Sequence, residues 1–258
     1  MIENVDRRIL GAFVCVDAIT GSSVVPAIPV TAPQWTVKPN RSGTYVIFDG
    51  PGLDPYTGQF IPSGTLPAAT PFEVTLQDPN LRYLPRRASV SAPAAIPVIP
   101  PVPATPTGVF APQQITVFPT PAAQVGPNWA TIRVSVTQSA TNPSKGLPYV
   151  VLRLVNTTTS EIMATGQTDT NGEALLAFIG QTVTVNTGAG GTVTTPSIAA
   201  TLTAYLLPTN LNQPSGWVPN PDDILNNLTA ATLVSGSQAI TVISGQEQSL
   251  SFSLTVPA

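Results

Sequence analysis

Few side chains in this chain could take part in catalysis, and the absence of one residue type limits the possible kinds of reactive site. The sequence contains no histidine, which excludes Ser-His-Asp and Cys-His nucleophilic sites and most transition-metal sites. A Ser-Lys pair would have to use Lys38 or Lys145, and both lie in turn-rich stretches with nothing to desolvate the amine. We therefore predict a protein that is not an enzyme and that binds no cofactor.

Carboxylates are the next candidates, because two of them held across a cleft can hydrolyse glycosides. Asp49 with Asp54, and Asp222 with Asp223, instead occupy positions typical of turns and of a helix start. Residues 169–172 match part of a calcium loop, but the further ligands and the closing glutamate are missing at the required spacing. The sequence predicts turns here and no metal site.

The densest charged feature is a basic cluster that precedes a proline-rich stretch. We predict that Arg82, Tyr83, Arg86 and Arg87 lie at an interface, because planar guanidinium groups can form paired hydrogen bonds with the carboxylates of a partner. The alternative interpretation is a solvated flank that keeps the proline-rich stretch in solution.

Aromatic side chains could form a platform on which sugars stack. The candidates are Trp35, Trp129, Trp217, Tyr45, Tyr56 and Tyr83. Aromatic residues make up 6% of the chain, and at such a density they are more often core or interface anchors. An adhesin-like or carbohydrate-binding module that recognises a surface is therefore the alternative function.

Low charge is the main property of the composition. Charged residues make up 9% of the chain, where about 25% is usual for a soluble domain. A surface of neutral polar and apolar groups costs little to desolvate, which favours burial against partner subunits. The net charge is −3 and no basic residue follows Arg153, so we expect no nucleic-acid binding.

The lone cysteine and the N-terminal segment suggest where the protein acts. Cys15 lies in the apolar run of residues 9–16, which predicts a small core residue and no disulfide within the chain. That run is too short to cross a bilayer. We expect a cytoplasmic protein without direct membrane insertion, assembled into a particle that is released or membrane-associated.

Apolar residues alternate with polar ones along several segments, which predicts β-strands. The clearest are residues 8–18, 72–77, 131–138 and 250–256, and a shorter strand is expected at 114–118. One short helix is predicted after Asn220, and a hairpin tip at residues 187–191. The predicted fold class is all-β, with two antiparallel β-sandwich domains of the transthyretin-like or immunoglobulin-like kind.

Proline content sets the expected domain boundaries. Six prolines fall within residues 93–106, which predicts an extended, polyproline-like segment. We expect an N-terminal domain at 1–90, a linker or arm at 91–127 and a C-terminal domain at 128–258. The arm is either a plain spacer or a segment that lies across a neighbouring subunit.

The two halves share an order of features. Gly43 and Gly172 stand where a tight turn needs a positive φ, and Asn40 and Asp169 can accept hydrogen bonds from the turn. Each half resembles the carboxypeptidase regulatory-like, transthyretin-like β-sandwich. That family has a Gly-x-Pro turn after its first strand and then Thr-Asp-x-x-Gly-x-Tyr. The matching residues are Gly146, Pro148, Thr168, Asp169 and Gly172, while the first half carries Asn40-Arg41 instead of the Thr-Asp pair.

A second resemblance runs along the whole chain. It rests on Asp6-Arg7-Arg8, Gly11, Asn40-Arg41-Ser42-Gly43-x-Tyr45-Val46, Asp78-Pro79-x-x-Arg82-Tyr83-Leu84-Pro85-Arg86, Phe118-Pro119-x-Pro121 and Gly172-Glu173-Ala174-Leu175. Together these motifs resemble a group of proteins associated with contractile, phage-tail-like injection systems. The resemblance implies a structural subunit whose partners are sheath, tube, cap or baseplate rings, more at the cap or terminator end than at the baseplate.

Overall fold

The structure, a computed structural model, describes residues 9–51, 69–92, 112–126, 129–139, 145–179, 183–185, 192–194 and 197–256. Over these residues the chain consists mainly of β-strands, which confirms the predicted all-β class. The described residues form two compact units. The N-terminal unit comprises the described residues within 1–17, 21–79 and 85–117, and the C-terminal unit those within 18–20, 80–84 and 118–258.

Two sheets make up the N-terminal unit. Its strands are β1 (Gly11–Asp17), β2 (Val30–Thr31), β3 (Thr36–Pro39), β4 (Thr44–Asp49), β5 (Thr70–Leu76), β6 (Arg86–Ala92) and β7 (Gln113–Val117). One sheet has the order β3-β4-β1-β7 and the other has the order β2-β5-β6. Buried side chains from both sheets form its core, in which the rings of Phe13 and Tyr45 stack at 4.6 Å.

The C-terminal unit has two larger sheets and a small hairpin. Its strands are β8 (Trp129–Gln138), β9 (Val151–Asn156), β10 (Ile162–Gln167), β11 (Glu173–Ile179), β12 (Val183–Val185), β13 (Thr192–Thr194), β14 (Ser197–Leu206), β15 (Val234–Ile243) and β16 (Glu247–Leu254). The sheet orders are β10-β9-β14-β15 and β11-β8-β16, and β12 pairs with β13. One apolar core lies between the two larger sheets.

Alternation along the strands decides which side chains enter this core. In β16, Phe252 and Leu254 are buried, whereas Ser251 and Ser253, which alternate with them, are exposed. The same holds for the apolar positions of β8, where Val134 is buried. A half-buried strand requires this period of two, and the structure confirms the strands predicted on that basis.

The two units share their pairing order, which extends the predicted internal repeat. The first strand of each unit, β1 or β8, pairs antiparallel with β4 or β11 and parallel with β7 or β16. The opposite sheets correspond as β2-β5-β6 and β9-β14-β15. The larger sheets differ in one strand, because β3 joins β4 whereas β10 joins β9, and the C-terminal unit also has the β12–β13 hairpin. Parallel pairs within sandwiches predicted to be antiparallel are the main departure from the expected fold.

The proline-rich stretch connects two strands of the same unit. Strand β6 ends at Ala92 and β7 begins at Gln113, and both belong to the N-terminal unit. The side-chain amide of Gln113 donates to Ser91 O (2.9 Å) and accepts from Ser91 N (3.2 Å), which fixes the base of this connection. The boundaries 1–90, 91–127 and 128–258 stay a prediction, but β7 lies inside the predicted arm. The expected polyproline conformation of residues 93–106 lies outside the described residues.

The predicted short helix is present. Strands β12 and β13 pair antiparallel, and the predicted hairpin tip between them, residues 187–191, lies outside the described residues. Helix α1 covers Asp222–Leu225, with Asn220 Oδ1 accepting from Asp222 N and Ile224 fully buried. A 3-10 turn covers Pro208–Asn212. Among the described residues no helix is long and apolar enough to span a membrane.

Two glycines lie in equivalent turns of the two units. The turn of Gly172 is in close contact with β8, and the turn of Gly43 is in close contact with the chain that follows β1. Gly172 has φ +83°, and a Cβ added there would lie 2.6 Å from Val136 O. Gly43 has φ +82°, and a Cβ there would lie 2.5 Å from Val24 O. Both positions therefore exclude a side chain for two reasons, the backbone conformation and the lack of space.

We expect Gly172→Ala to lower the free energy of unfolding by about 3 kcal/mol, because strain at positive φ adds to a clash with backbone atoms. Gly245→Ala is the matched control, since Gly245 has φ +72° but no atom within 4 Å of an added Cβ. Its cost should be about 1 kcal/mol. Urea denaturation measures both values, and equal losses would show that the close approach at Gly172 has no role.

Candidate functional site

Two of the predicted interface residues, Arg82 and Tyr83, lie in a short backbone ladder of the C-terminal unit. Thr120 N donates to Arg82 O (3.0 Å), and Leu84 N donates to Phe118 O (2.8 Å). The guanidinium carbon of Arg82 lies 5.7 Å from the centre of the Tyr83 ring, in a cation–π contact. Both side chains are half-buried, so they form an ordered feature of the fold.

Arg86 has a different environment, because its side chain is 1% exposed. Its position in β6 has the same parity as buried Ala88 and Val90, which directs it inward. The guanidinium Nη1 donates to Thr116 O of β7, and Nε donates to Arg87 O. A buried cation requires such acceptors. The guanidinium thus connects β6 to β7 within the N-terminal unit.

Arg87 points to the opposite face of β6. Its Nη1 lies 2.9 Å from Glu73 Oε2 on the neighbouring strand β5, and both side chains are partly exposed. The carboxylate therefore compensates the charge of this arginine within the same sheet. The interface role of the four residues stays a prediction, and the structure assigns them to two different units.

The candidate nucleophiles lack the environment that would activate them. Burial raises the pKa of the Cys15 thiol to about 11, although a hydrogen bond with Tyr45 and the charge of Arg86 both lower it. The thiol therefore stays protonated at neutral pH, as expected of a core residue. Lys38 and Lys145 are exposed, so neither amine is desolvated.

Asp169 organises the turn that precedes β11. Its Oδ1 accepts from Asn171 N (2.8 Å) and Glu173 N (3.0 Å), and its Oδ2 accepts from Asn171 Nδ2 (3.3 Å). Both carboxylate oxygens thus have partners within the turn itself, as predicted from the sequence. In the part of the chain that the structure describes, no three His, Cys, Asp or Glu side chains form a group that could hold a metal ion.

Asn40 repeats this arrangement in the N-terminal unit. Its Oδ1 accepts from Ser42 N and Thr44 N, both at 2.9 Å. The backbone bonds also correspond, because Asn40 N donates to Thr44 O as Asp169 N donates to the residue four positions on. A neutral amide therefore performs the same task as a carboxylate, which identifies the turn as a structural element.

The remaining acidic candidates are also used locally. Asp49 Oδ1 accepts from Gly50 N (2.8 Å), and Asp223 Oδ1 accepts from Asn220 Nδ2 (3.0 Å) at the start of α1. These are the turn and helix-start roles that the sequence predicts. Asp54 lies outside the described residues.

The aromatic candidates do not converge on one platform within either unit. The Trp35 ring stacks on Phe72 at 4.0 Å, and Trp217 meets the edge of Tyr149 at 5.6 Å. The other candidates are buried Tyr45, half-buried Tyr83 and Trp129, and Tyr56, which lies outside the described residues. The contacts of Trp35 and Trp217 anchor loops to their own units, and sugar binding stays a prediction.

A shallow cavity of about 420 Å³ lies on the outer face of the β11-β8-β16 sheet. Its lining includes Pro121, Arg133, Glu173 and three serines. Arg133 Nε is 2.7 Å from Glu247 Oε1, and its Nη1 donates to Pro121 O. The one basic group of this cavity is thus already paired, and the remaining surface is mostly neutral.

Sequence reasoning missed a long, neutral strand edge, the longest among the strands that the structure describes. Strand β15 has ten residues, most of them exposed or half-exposed, and forms the end of the β10-β9-β14-β15 sheet. The available signal was the absence of any charged residue between Asp223 and Glu247.

We expect Asp169→Ala to lower the free energy of unfolding by about 2 kcal/mol, because two charge-assisted hydrogen bonds are lost. Asp169→Asn keeps an oxygen at Oδ1 and should cost less than about 1 kcal/mol. Millimolar calcium should leave the melting temperature of the wild type unchanged. A calcium-dependent rise that Asp169→Asn abolishes would contradict the structural role of this turn.

Comparison with known proteins adds little to this geometry. No protein-family profile matches the chain, and no curated protein matches it. Among solved structures, the Bacillus anthracis TIE protein aligns with 96% of this chain at 12% sequence identity and a TM-score of 0.27. The alignment covers 34% of that protein, so this chain spans about a third of its length.

Proposed function

We propose that this chain is a non-enzymatic structural subunit of a contractile, phage-tail-like injection particle. In this proposal its β-sandwich units dock onto ring components, more at the cap or terminator end than at the baseplate. The observation that carries the proposal is the neutral, polar character of the exposed strands, above all β15 and the outer face of β16.

Desolvation explains why such strands suit an assembly. On β16 the outward side chains are Glu247, which is paired with Arg133, and Ser249, Ser251 and Ser253, and all four are exposed. Hydroxyl groups can exchange water for a partner's hydrogen bonds, whereas burying an unpaired charge costs several kcal/mol. Interface cores are depleted in charged residues for the same reason.

The signature residues of the carboxypeptidase regulatory-like module lie close together, which supports assigning the C-terminal unit to that kind of module. Thr168 Oγ1 donates to Leu147 O (2.8 Å) and accepts from Val150 N (2.9 Å). A Cβ on Gly172 would lie 2.9 Å from the Cα of Gly146. The motif thus joins two turns at one end of the sandwich. Its polar groups are used to hold the fold, which agrees with a module for docking or spacing.

The polar groups that could support catalysis are similarly occupied. Asp169 holds a turn, Arg86 joins two strands, and the Cys15 thiol is buried and protonated. These roles account for the three side chains without a reaction. They support a structural role over an enzymatic one.

The proposal predicts that native sheath-and-tube particles, purified by sedimentation, contain this chain in a fixed ratio to sheath protein. Quantitative mass spectrometry measures the ratio in several preparations. The matched control is a preparation from cells in which the sheath gene is deleted, where the chain should not sediment.

Absence of the chain from intact particles, or a ratio that varies with washing, would remove the proposal. An epitope tag imaged by electron microscopy then distinguishes the cap from the baseplate. Retention on immobilised glycans that an exposed tryptophan controls would favour the alternative, a carbohydrate-binding module.

A further inference from the structure

The free edge of β15 differs from the equivalent edge of the N-terminal unit. In that unit, Arg86 and Gln113 bridge β6 to β7 near both ends of β7, through Thr116 O and Ser91. In the C-terminal unit, the Gln248 amide donates to Thr241 O (3.0 Å) and accepts from Ile243 N (3.2 Å). This bridge lies next to the β15–β16 turn, and the rest of the β15 edge has no such bridge among the described residues.

The bonds of Gln248 also show which backbone groups of β15 face outward. Because Thr241 O and Ile243 N point away from β14, residues of the same parity do so too. The N–H and C=O groups of Ser235, Ser237 and Ala239 are therefore directed to the open edge. Among the described residues no strand pairs with this side of β15.

Other strands at sheet edges carry features that discourage pairing. These are Lys38 and Pro39 on β3, a bulge between Ile162 and Ala164 on β10, Glu173 on β11, Glu247 on β16, Arg86 and Arg87 on β6, and short lengths in β2, β7, β12 and β13. Strand β15 has ten residues in unbroken register with β14, and it has no charge and no proline. Natural proteins protect such an edge unless it pairs with another strand.

We propose that two copies of this chain associate by pairing their β15 strands antiparallel, about a two-fold axis at Gln238. The pairing extends the four-stranded sheet of the C-terminal unit across both copies. Ser237 then faces Ala239 of the second copy in a hydrogen-bonded pair, as the outward parity requires, and Gln238 faces Gln238 in a non-hydrogen-bonded pair.

The register is self-complementary in size and charge. Ile240 of each copy lies across from Gly236 of the other, so the largest inward side chain of the strand meets the smallest. Ser235 faces Thr241, whose carbonyl already accepts from Gln248 and has a second lone pair for the partner strand. No charged residue of β15 enters the contact. An isologous interface requires this kind of self-matching surface.

In the proposed dimer, a groove beside the β15 edge receives the inward side chains of the second copy's β15. It has a volume of about 260 Å³ and is lined by Gln238 and Ile240 of β15 and by Ile132, Gln248 and Leu250 of the facing strands, among others. The floor is aliphatic and the rim carries amides. Strand addition combines backbone hydrogen bonds with pockets for alternate side chains, and this groove supplies such a pocket.

Sedimentation velocity of the full chain over a range of concentrations tests the proposal. The wild type should show a concentration-dependent dimer. Ser237→Lys brings two like charges to the paired edges and should weaken association by at least about tenfold. Thr201→Lys is the matched control, because it lies on the same face one strand inward, opposite Ala239, and should leave the dimer intact.

Two single-cysteine variants test the register of the β15 pairing even if the lysine variant folds poorly. Under mild oxidation Gln238→Cys should form a disulfide-linked dimer, whereas Ser235→Cys, which lies across from Thr241, should not. The native Cys15 is buried and does not compete. A wild type that stays monomeric at the highest soluble concentration, or equal cross-linking of both variants, would overturn the proposal. Pairing of the β15 edges does not require a role in an injection particle, so absence of the chain from such particles would leave the dimer unaffected.

Discussion

In each unit, one side-chain oxygen accepts hydrogen bonds from the turn before β4 or β11. These hydrogen bonds set the strand pairing on which the unit depends. Asp169 and Asn40 each bind two backbone N–H groups, so the next strand starts at a fixed residue beside the first strand of its unit. Gly172 then lets this turn approach Val136 O closely. Because a shift of one residue would exchange the two faces of a strand, these few bonds decide which side chains enter the core.

The sequence was sufficient for features that depend on local chemistry. Alternation predicted β8 and β16, and the positions of Asp169 and Gly172 predicted a tight turn, because both signals act within a few residues. The burial of Arg86 was harder to foresee, since its acceptor Thr116 lies thirty positions away. Its parity with Val90 was a usable signal, but a nearby run of basic residues suggested a surface instead. Long-range pairing, such as that of β7 with β1, has no local pattern.

The two units share one order of strand pairing, but different side chains bridge the open side of their sheets. Among the described residues, Arg86 and Gln113 join the strands at the open side of the N-terminal unit, whereas in the C-terminal unit the bridge is Gln248, near the turn after β15. The difference fits a division of roles in which one unit is self-contained and the other presents backbone groups to a second chain. A composition poor in charge makes this arrangement possible, because neutral edges can lose water at little cost.

Two hydrogen bonds between Gln113 and Ser91 hold the end of β6 beside the start of β7, at the base of the connection between these strands. In the C-terminal unit the equivalent crossing takes residues 244–246, yet the N-terminal unit accommodates a far longer insertion between the same two strand positions. Since the entropy of closing a loop grows slowly with its length, the insertion can diverge in length and composition while both sheets stay unchanged. This connection is consequently the natural point for grafting a foreign peptide or a reporter domain.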